Sequence, residues 1–239
     1  MTTHTAPQPY EYDSIRPYLD EEVPAVVAQL ANQPELRHVL SALLSEEETT
    51  ALLQHLKSIQ SVDAFKELIS YPLVVKLAKQ TTFSVSLSGA SRLGGDLPTT
   101  FVTNHRDIIL DSAFLNLVMR ERNYLMPRIA IGDNLFGRPW IEAVVKLNDS
   151  FVVRRSLPIR QMLLAAQALS AFIDQSIQQD HKSVWIAQRE GRAKDNSDKT
   201  QPSVLKMIAS SQSSDPLPLK TESASTEPPR PSRQNRRRQ

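Results

Sequence analysis

Three short stretches combine residue types that can do chemistry. The first is Asn104-His105-Arg106-Asp107-Ile108-Ile109-Leu110-Asp111, an imidazole beside two carboxylates just after the apolar run 99–103. A strand ending at Thr103 and a helix beginning soon after would expose His105 at a sheet edge. The same corner would bring an Asp within reach of the ring. A carboxylate on one ring nitrogen fixes the tautomer and makes the other nitrogen a better base. The same residues also suit a plain surface His beside a helix-capping Asp107. No Ser or Cys nucleophile motif accompanies the His, so direct general-base work on a hydroxyl is the simplest chemistry available.

The second stretch is Ser150-Phe151-Val152-Val153-Arg154-Arg155-Ser156. Two adjacent Arg at the end of an apolar strand can hold a phosphate by forked, charge-assisted hydrogen bonds, or can simply face solvent. The third is Trp185-Ile186-Ala187-Gln188-Arg189-Glu190-Gly191-Arg192-Ala193-Lys194-Asp195. Here an apolar run feeds a polar loop in which Gly191 permits a tight turn and close backbone approach to a ligand. An ordinary charged loop has the same composition.

The elements that must position these residues follow from periodicity. From Ile15 to about Gln80 the apolar spacing is helical: Val23, Val26, Val27 and Leu30, then Leu36, Val39, Leu40, Leu43 and Leu44. Ser45-Glu46-Glu47-Glu48 is a capping-box sequence and predicts a helix over 49–59. Phe65, Leu68, Ile69, Val74, Val75 and Leu77 extend the pattern, with a break expected at Pro72. Beyond residue 81, strands are expected at 99–103, 128–131, 150–154 and 183–187. Helices are expected at 108–120, 139–147 and 158–179, the last with Pro in its first turn. Strand–helix alternation implies an α/β layer architecture. The expected organisation is a flexible tail over 1–13, a helical region over 14–80, an α/β domain over 81–209 and a disordered Pro/Ser/Arg-rich tail over 210–239.

Composition narrows the classes. The 239 residues contain no Cys, which excludes disulfides, thiolate metal sites and a Cys nucleophile. No run of about 18 apolar residues is present, so no membrane-spanning helix is expected. The polar, acidic N-terminus has no signal-peptide core, and a cytoplasmic chain is expected. The net charge of +2 hides a basic middle section that suits anionic partners. The tail arginines Arg230, Arg233, Arg236, Arg237 and Arg238 have no interleaved aromatics, so no nucleic-acid partner is expected.

The three stretches, in this order, resemble the first three sequence blocks of the phospholipid/glycerol acyltransferases, a family that includes the lysophosphatidic acid and glycerol-3-phosphate acyltransferases. NHRDIILD, FVVRRS and QREGRAKD carry the likeness, which covers about residues 80–208. It implies an acyltransferase-like mixed sheet flanked by helices. It also implies transfer of a fatty acyl group from acyl-CoA or acyl carrier protein to a glycerophosphate-type hydroxyl, as a step of phospholipid biosynthesis. In those terms His105 is the general base, and an Asp orients it, with Asp111 favoured over Asp107. Arg154 and Arg155 would bind the acceptor phosphate together with Glu190, Gly191 and Arg192, the arginines converging on one anion site. No metal or cofactor is implied, since the acyl donor is a co-substrate. The implied partners are the donor, a glycerophospholipid acceptor and a membrane surface, at the inner face of the cytoplasmic membrane.

The chain departs from the family pattern in several places. Five residues rather than four separate His105 from Asp111. Asp149-Ser150 stands where the family has Gly before the aromatic. Arg189 precedes Glu190, and Arg192 follows Gly191 directly. A fourth block, an apolar strand with Pro, is expected after Met207, but the Pro/Ser/Arg-rich segment occupies its place. The chain therefore reads as a truncated acyltransferase with an open sheet edge. The alternative is a catalytically defective form that only binds lipid or an acyl carrier.

Overall fold

The computed structural model describes the backbone of residues 10–94, 96–155, 157–189, 191–194 and 199–210. Helix α1 (Tyr10–Asp13) occupies the end of the expected loose tail, and the Tyr12 ring meets Phe172 edge-on at 5.7 Å. Residues 1–9 and nearly all of the expected C-terminal tail, from 211 on, lie outside the described residues.

The helical periodicity of the first eighty residues forms α2 (Val23–Leu30), α3 (Pro34–Ser41), α4 (Glu46–Leu56), α5 (Val62–Phe65) and α6 (Tyr71–Thr81). The Ser45 capping box is present: Ser45 Oγ accepts from Glu48 N at 3.1 Å, and Glu48 Oε2 accepts from Ser45 N at 2.7 Å. It starts α4 three residues earlier than expected, because the helix begins directly after its cap. Pro72 does not break the run. A π-turn over Lys66–Ser70 joins α5 to α6, and Pro72 follows just after it, so the helix runs on across a position with no N–H to donate. Val27, Leu30, Leu56, Ile59 and Phe65 are buried in one core, where each contributes roughly 1.5–3 kcal/mol of transfer free energy. Val39, on the same periodic pattern, is 53% exposed.

The second half contains β1 (Thr100–Thr103), α7 (Leu110–Glu121), β2 (Arg128–Gly132), α8 (Pro139–Leu147), β3 (Phe151–Val153), α9 (Ile159–Gln178), β4 (Val184–Ala187) and α10 (Pro202–Ser210). The sheet order is β1-β4-β2-β3. Every described strand pair is parallel, with Thr103 opposite Ala187, Ile129 opposite Trp185 and Gly132 opposite Val153. The expected mixed sheet is thus corrected to a parallel one, because each step between strands runs through a helix that returns the chain to the same end.

Two hydrophobic cores are present. Leu147, Trp140 and Val144 of α8 join the helical core. Leu169, Phe172 and Ile173 of α9 pack with Phe151, Val152 and Val184. Right-handed crossovers account for the split, since the step from β3 to β4 runs opposite in direction to the two before it. The outer edge of β3 is covered in part by Ile15, whose carbonyl accepts from Val152 N at 2.8 Å. Among the described residues no strand covers the outer edge of β1. Helix α10 packs on α9, with Ser170 Oγ donating to Met207 O at 2.6 Å.

At the end of the sheet where the strands begin lies a buried charge network. Asp149, 4% exposed, accepts from Arg128 Nε at 3.0 Å and faces Lys66 Nζ at 3.6 Å and Lys182 Nζ at 3.7 Å. Arg128 also pairs with Asp180 and donates to Ser176 Oγ at 2.9 Å. Burial works against the Arg128 charge, but Asp149 and Asp180 outweigh it and raise its pKa. Asp149 has φ of 54°, a conformation Asp tolerates better than most side chains.

Candidate functional site

The opposite end of the sheet, where the strands finish, gathers all three stretches. Two residues after β1, the chain turns at His105 before α7 begins. Asp107 shapes this corner: its Oδ1 accepts from Ile109 N at 2.9 Å and Leu110 N at 2.8 Å. Those two N–H groups hold the Asp107 carboxyl below the usual carboxylate range, and the Arg192 charge helps. Asp107 is therefore occupied with the backbone.

Asp111, in the first turn of α7, reaches the ring. Its Oδ2 lies 3.0 Å from His105 Nδ1 and accepts from Arg106 N at 2.7 Å and Asp107 N at 3.0 Å. The five-residue spacing works because 104–107 form an irregular corner held by these bonds. An ionised carboxylate only accepts, so a neutral imidazole in this contact would carry its hydrogen on Nδ1 and keep the lone pair on Nε2. The dyad is partly sheltered, the His105 side chain 16% and the Asp111 side chain 28% exposed.

Trp185 fixes the other side of the ring. Its indole meets the imidazole edge-on, with centroids 5.6 Å apart at 71°. Its Nε1 donates to Thr103 Oγ1 at 2.9 Å, which locks the indole against the end of β1. Nothing in local sequence pairs Trp185 with His105. The β1–β4 register does.

The loop after β4 closes over the corner. Ala193 N donates to His105 O at 2.6 Å, and Arg189 Nη2 donates to Arg192 O at 3.4 Å. Gly191 turns the loop with φ of 73°, which side chains rarely adopt. Arg189 Nε is buried without a hydrogen-bond partner among the described residues. Glu190 lies outside the described residues.

Arg154 and Arg155 follow β3 at the same end of the sheet, and they diverge. Arg154 Nη2 donates to Ser14 O at 2.9 Å, at the outer edge of β3 away from β1. Arg155 turns inward across Gly132: a Cβ on Gly132 would sit 2.8 Å from Arg155 Nε. Arg155 N donates to Asp133 Oδ1 at 3.1 Å, which holds the strand end beside the end of β2. The expected meeting of all these cations is thus corrected. Alternation along the extended chain sends Arg154 outward, while Arg155 faces the middle of the sheet end. Sequence reasoning missed Gly132 and Asp133, which make room for Arg155 and hold its backbone.

Beside the dyad runs an open groove of about 440 Å³ between residues 84–86 and α7. Phe114, Leu115, Val118, Val85 and Trp185 supply its apolar wall, and Asn104 and Asp111 its polar end. Open parallel sheets bind ligands outside the ends where their strands finish, and this dyad and groove are so placed. What the arrangement offers chemically is an imidazole paired with a carboxylate, an apolar groove whose polar end includes that carboxylate, and cations at the same end of the sheet.

No model of a known protein family matches the chain, and no curated protein matches it. What the geometry defines is a mixed α/β protein with N-terminal helices and a small parallel sheet. No helix among the described residues is long and apolar enough to cross a membrane.

Proposed function

We propose that the chain transfers a fatty acyl group from a thioester donor, acyl-CoA or acyl carrier protein, to a hydroxyl of a glycerophosphate-type acceptor. The observation that carries this reading is the 3.0 Å contact between His105 Nδ1 and Asp111, which leaves Nε2 as the base. In the proposed step His105 Nε2 takes the proton of the acceptor hydroxyl as its oxygen attacks the thioester carbonyl. The tetrahedral intermediate expels the thiolate, and His105 returns the proton to it. The products are an ester and a free thiol, with no acyl-enzyme between them. Asp111 stabilises the imidazolium that forms midway. The apolar groove suits the acyl chain, and Arg155 and Arg192 suit the acceptor phosphate.

Thiol release from acyl-CoA, with and without glycerol-3-phosphate or its monoacyl ester, tests this. His105→Ala is expected to lower the acceptor-dependent rate by about 10²–10⁴ with an unchanged circular-dichroism spectrum. Acceptor-dependent release at the wild-type rate in His105→Ala would overturn the assignment.

A further inference from the structure

The long helix α9 does two different things along its length. Its second half packs on the sheet through Leu169, Phe172 and Ile173. Its first half is mostly exposed. Met162 is 51% exposed, Leu163 66% and Leu164 65%, and the neighbouring Arg160, Gln161, Ala166 and Gln167 are exposed as well. The cause is length: a helix of 20 residues spans about 30 Å, roughly twice what a strand of three to five residues covers. Because α9 starts where β3 finishes, its surplus of about ten residues, or about 15 Å, projects past the end of the sheet that holds His105. Helices with apolar residues around their circumference are normally covered.

We propose that this overhang docks on an anionic lipid bilayer and sets the His105 end of the sheet against the membrane surface. Charge selects this occupant. No acidic residue occurs between Asp149 and Asp174, whereas Arg154, Arg155 and Arg160 do. The same rim carries exposed Ile109, 66% accessible, beside exposed Arg106, Arg192 and Lys194. Apolar side chains flanked by cations suit the boundary between lipid headgroups and acyl chains. The chain's own termini are poor covers. Residues 1–9 hold no large aliphatic side chain beyond Met1, and 210–239 carry a net +3 that repels a basic helix.

The full-length chain is mixed with vesicles of phosphatidylcholine alone, or of three parts phosphatidylcholine to one of phosphatidylglycerol, without acyl donor or acceptor. Bound protein is measured by flotation. Binding is expected to the anionic vesicles, to weaken with added salt, and to fall about tenfold or more in the triple variant Met162→Ser, Leu163→Ser, Leu164→Ser. These side chains are exposed, so the variant keeps its fold, and matching circular dichroism checks this. Val39→Ser and Leu68→Ser, exposed on the N-terminal helices, are expected to bind like wild type, and so is His105→Ala, which separates docking from catalysis. Equal binding by the triple variant, or no binding by wild type, would overturn the proposal. So would wild-type self-association that the triple variant abolishes without any vesicle binding, since the occupant would then be a second copy.

Discussion

The two ends of the parallel sheet are built from the same kinds of residue and put to opposite use. Where the strands begin, Arg128, Lys66 and Lys182 pair with Asp149, Asp180 and Asp63 in a network whose centre, Asp149 with Arg128 and Lys66, is largely shielded from water. Where they finish, the His105–Asp111 pair lies beside an open groove lined by Asp111 and Trp185, with Arg155 and Arg192 at the same end of the sheet. Ion pairs closed on both sides hold elements together, whereas the imidazole has only its Nδ1 paired among the described residues, which suits the base that the proposed function requires. Removing a residue at the first end should therefore damage the fold, and at the second end the turnover.

The sharpest way to break this comparison is at Asp111. Asp111→Asn is expected to lower acyl transfer by about 10²–10⁴ while the melting temperature moves little. A fold collapse in this variant would mean that Asp111 serves the corner rather than the base. At the other end, Asp149→Ala leaves Arg128 and Lys66 partly buried without their shared partner. Urea unfolding should show a loss of about 3–5 kcal/mol. A loss below about 1 kcal/mol would place the network effectively in solvent.

A finer test concerns Gly132→Ala. Its φ of −69° is ordinary, so any cost comes from the added methyl against the Arg155 side chain and Asn134 Oδ1. Arg155 can swing away, so the stability change should stay under about 1.5 kcal/mol. The acceptor KM should nevertheless rise severalfold with kcat nearly unchanged, if Arg155 holds the acceptor phosphate. An unchanged KM would remove Arg155 from the site.

The smallest effect expected is that of acid. Glu22, paired with Arg16, and Asp107, bonded to two backbone N–H groups, both titrate below their ordinary values in the folded chain. Their contribution is therefore complete above the unfolded carboxylate range near pH 4 and is lost as pH falls through the lower folded values. Melting temperature should decline from pH 5 to pH 3. Asp107→Asn, which keeps the capping oxygen, should flatten part of that decline and change turnover less than Asp111→Asn does.

How much of this was legible depended on how local the cause is. The Ser45 capping box acts over three residues and is present as written, and α8 spans 139–147 as its periodicity predicts. The continuity across Pro72 was not legible, because the π-turn that absorbs the proline answers to packing of Phe65 and Ile69 in the helical core. At the site, the preference for Asp111 rested on the resemblance and its His-to-Asp spacing, since the residues alone left Asp107 equally open. The divergence of Arg154 from Arg155 was not legible, because it depends on Ser14 lying outside β3 and Gly132 lying beside it.

The sequence by itself determined the helical first half, the strand–helix alternation after residue 81 and the clustering of polar residues just beyond strand ends. These follow from side-chain periodicity and from turn and cap chemistry, which act over a few residues. The tertiary structure alone decided the strand order β1-β4-β2-β3. That order places Trp185 against His105, although 80 positions separate them in the chain, and puts the loop of Gly191 over the same corner. It also left the first half of α9 beyond the sheet, because strand length and helix length are set independently and only packing reveals the mismatch.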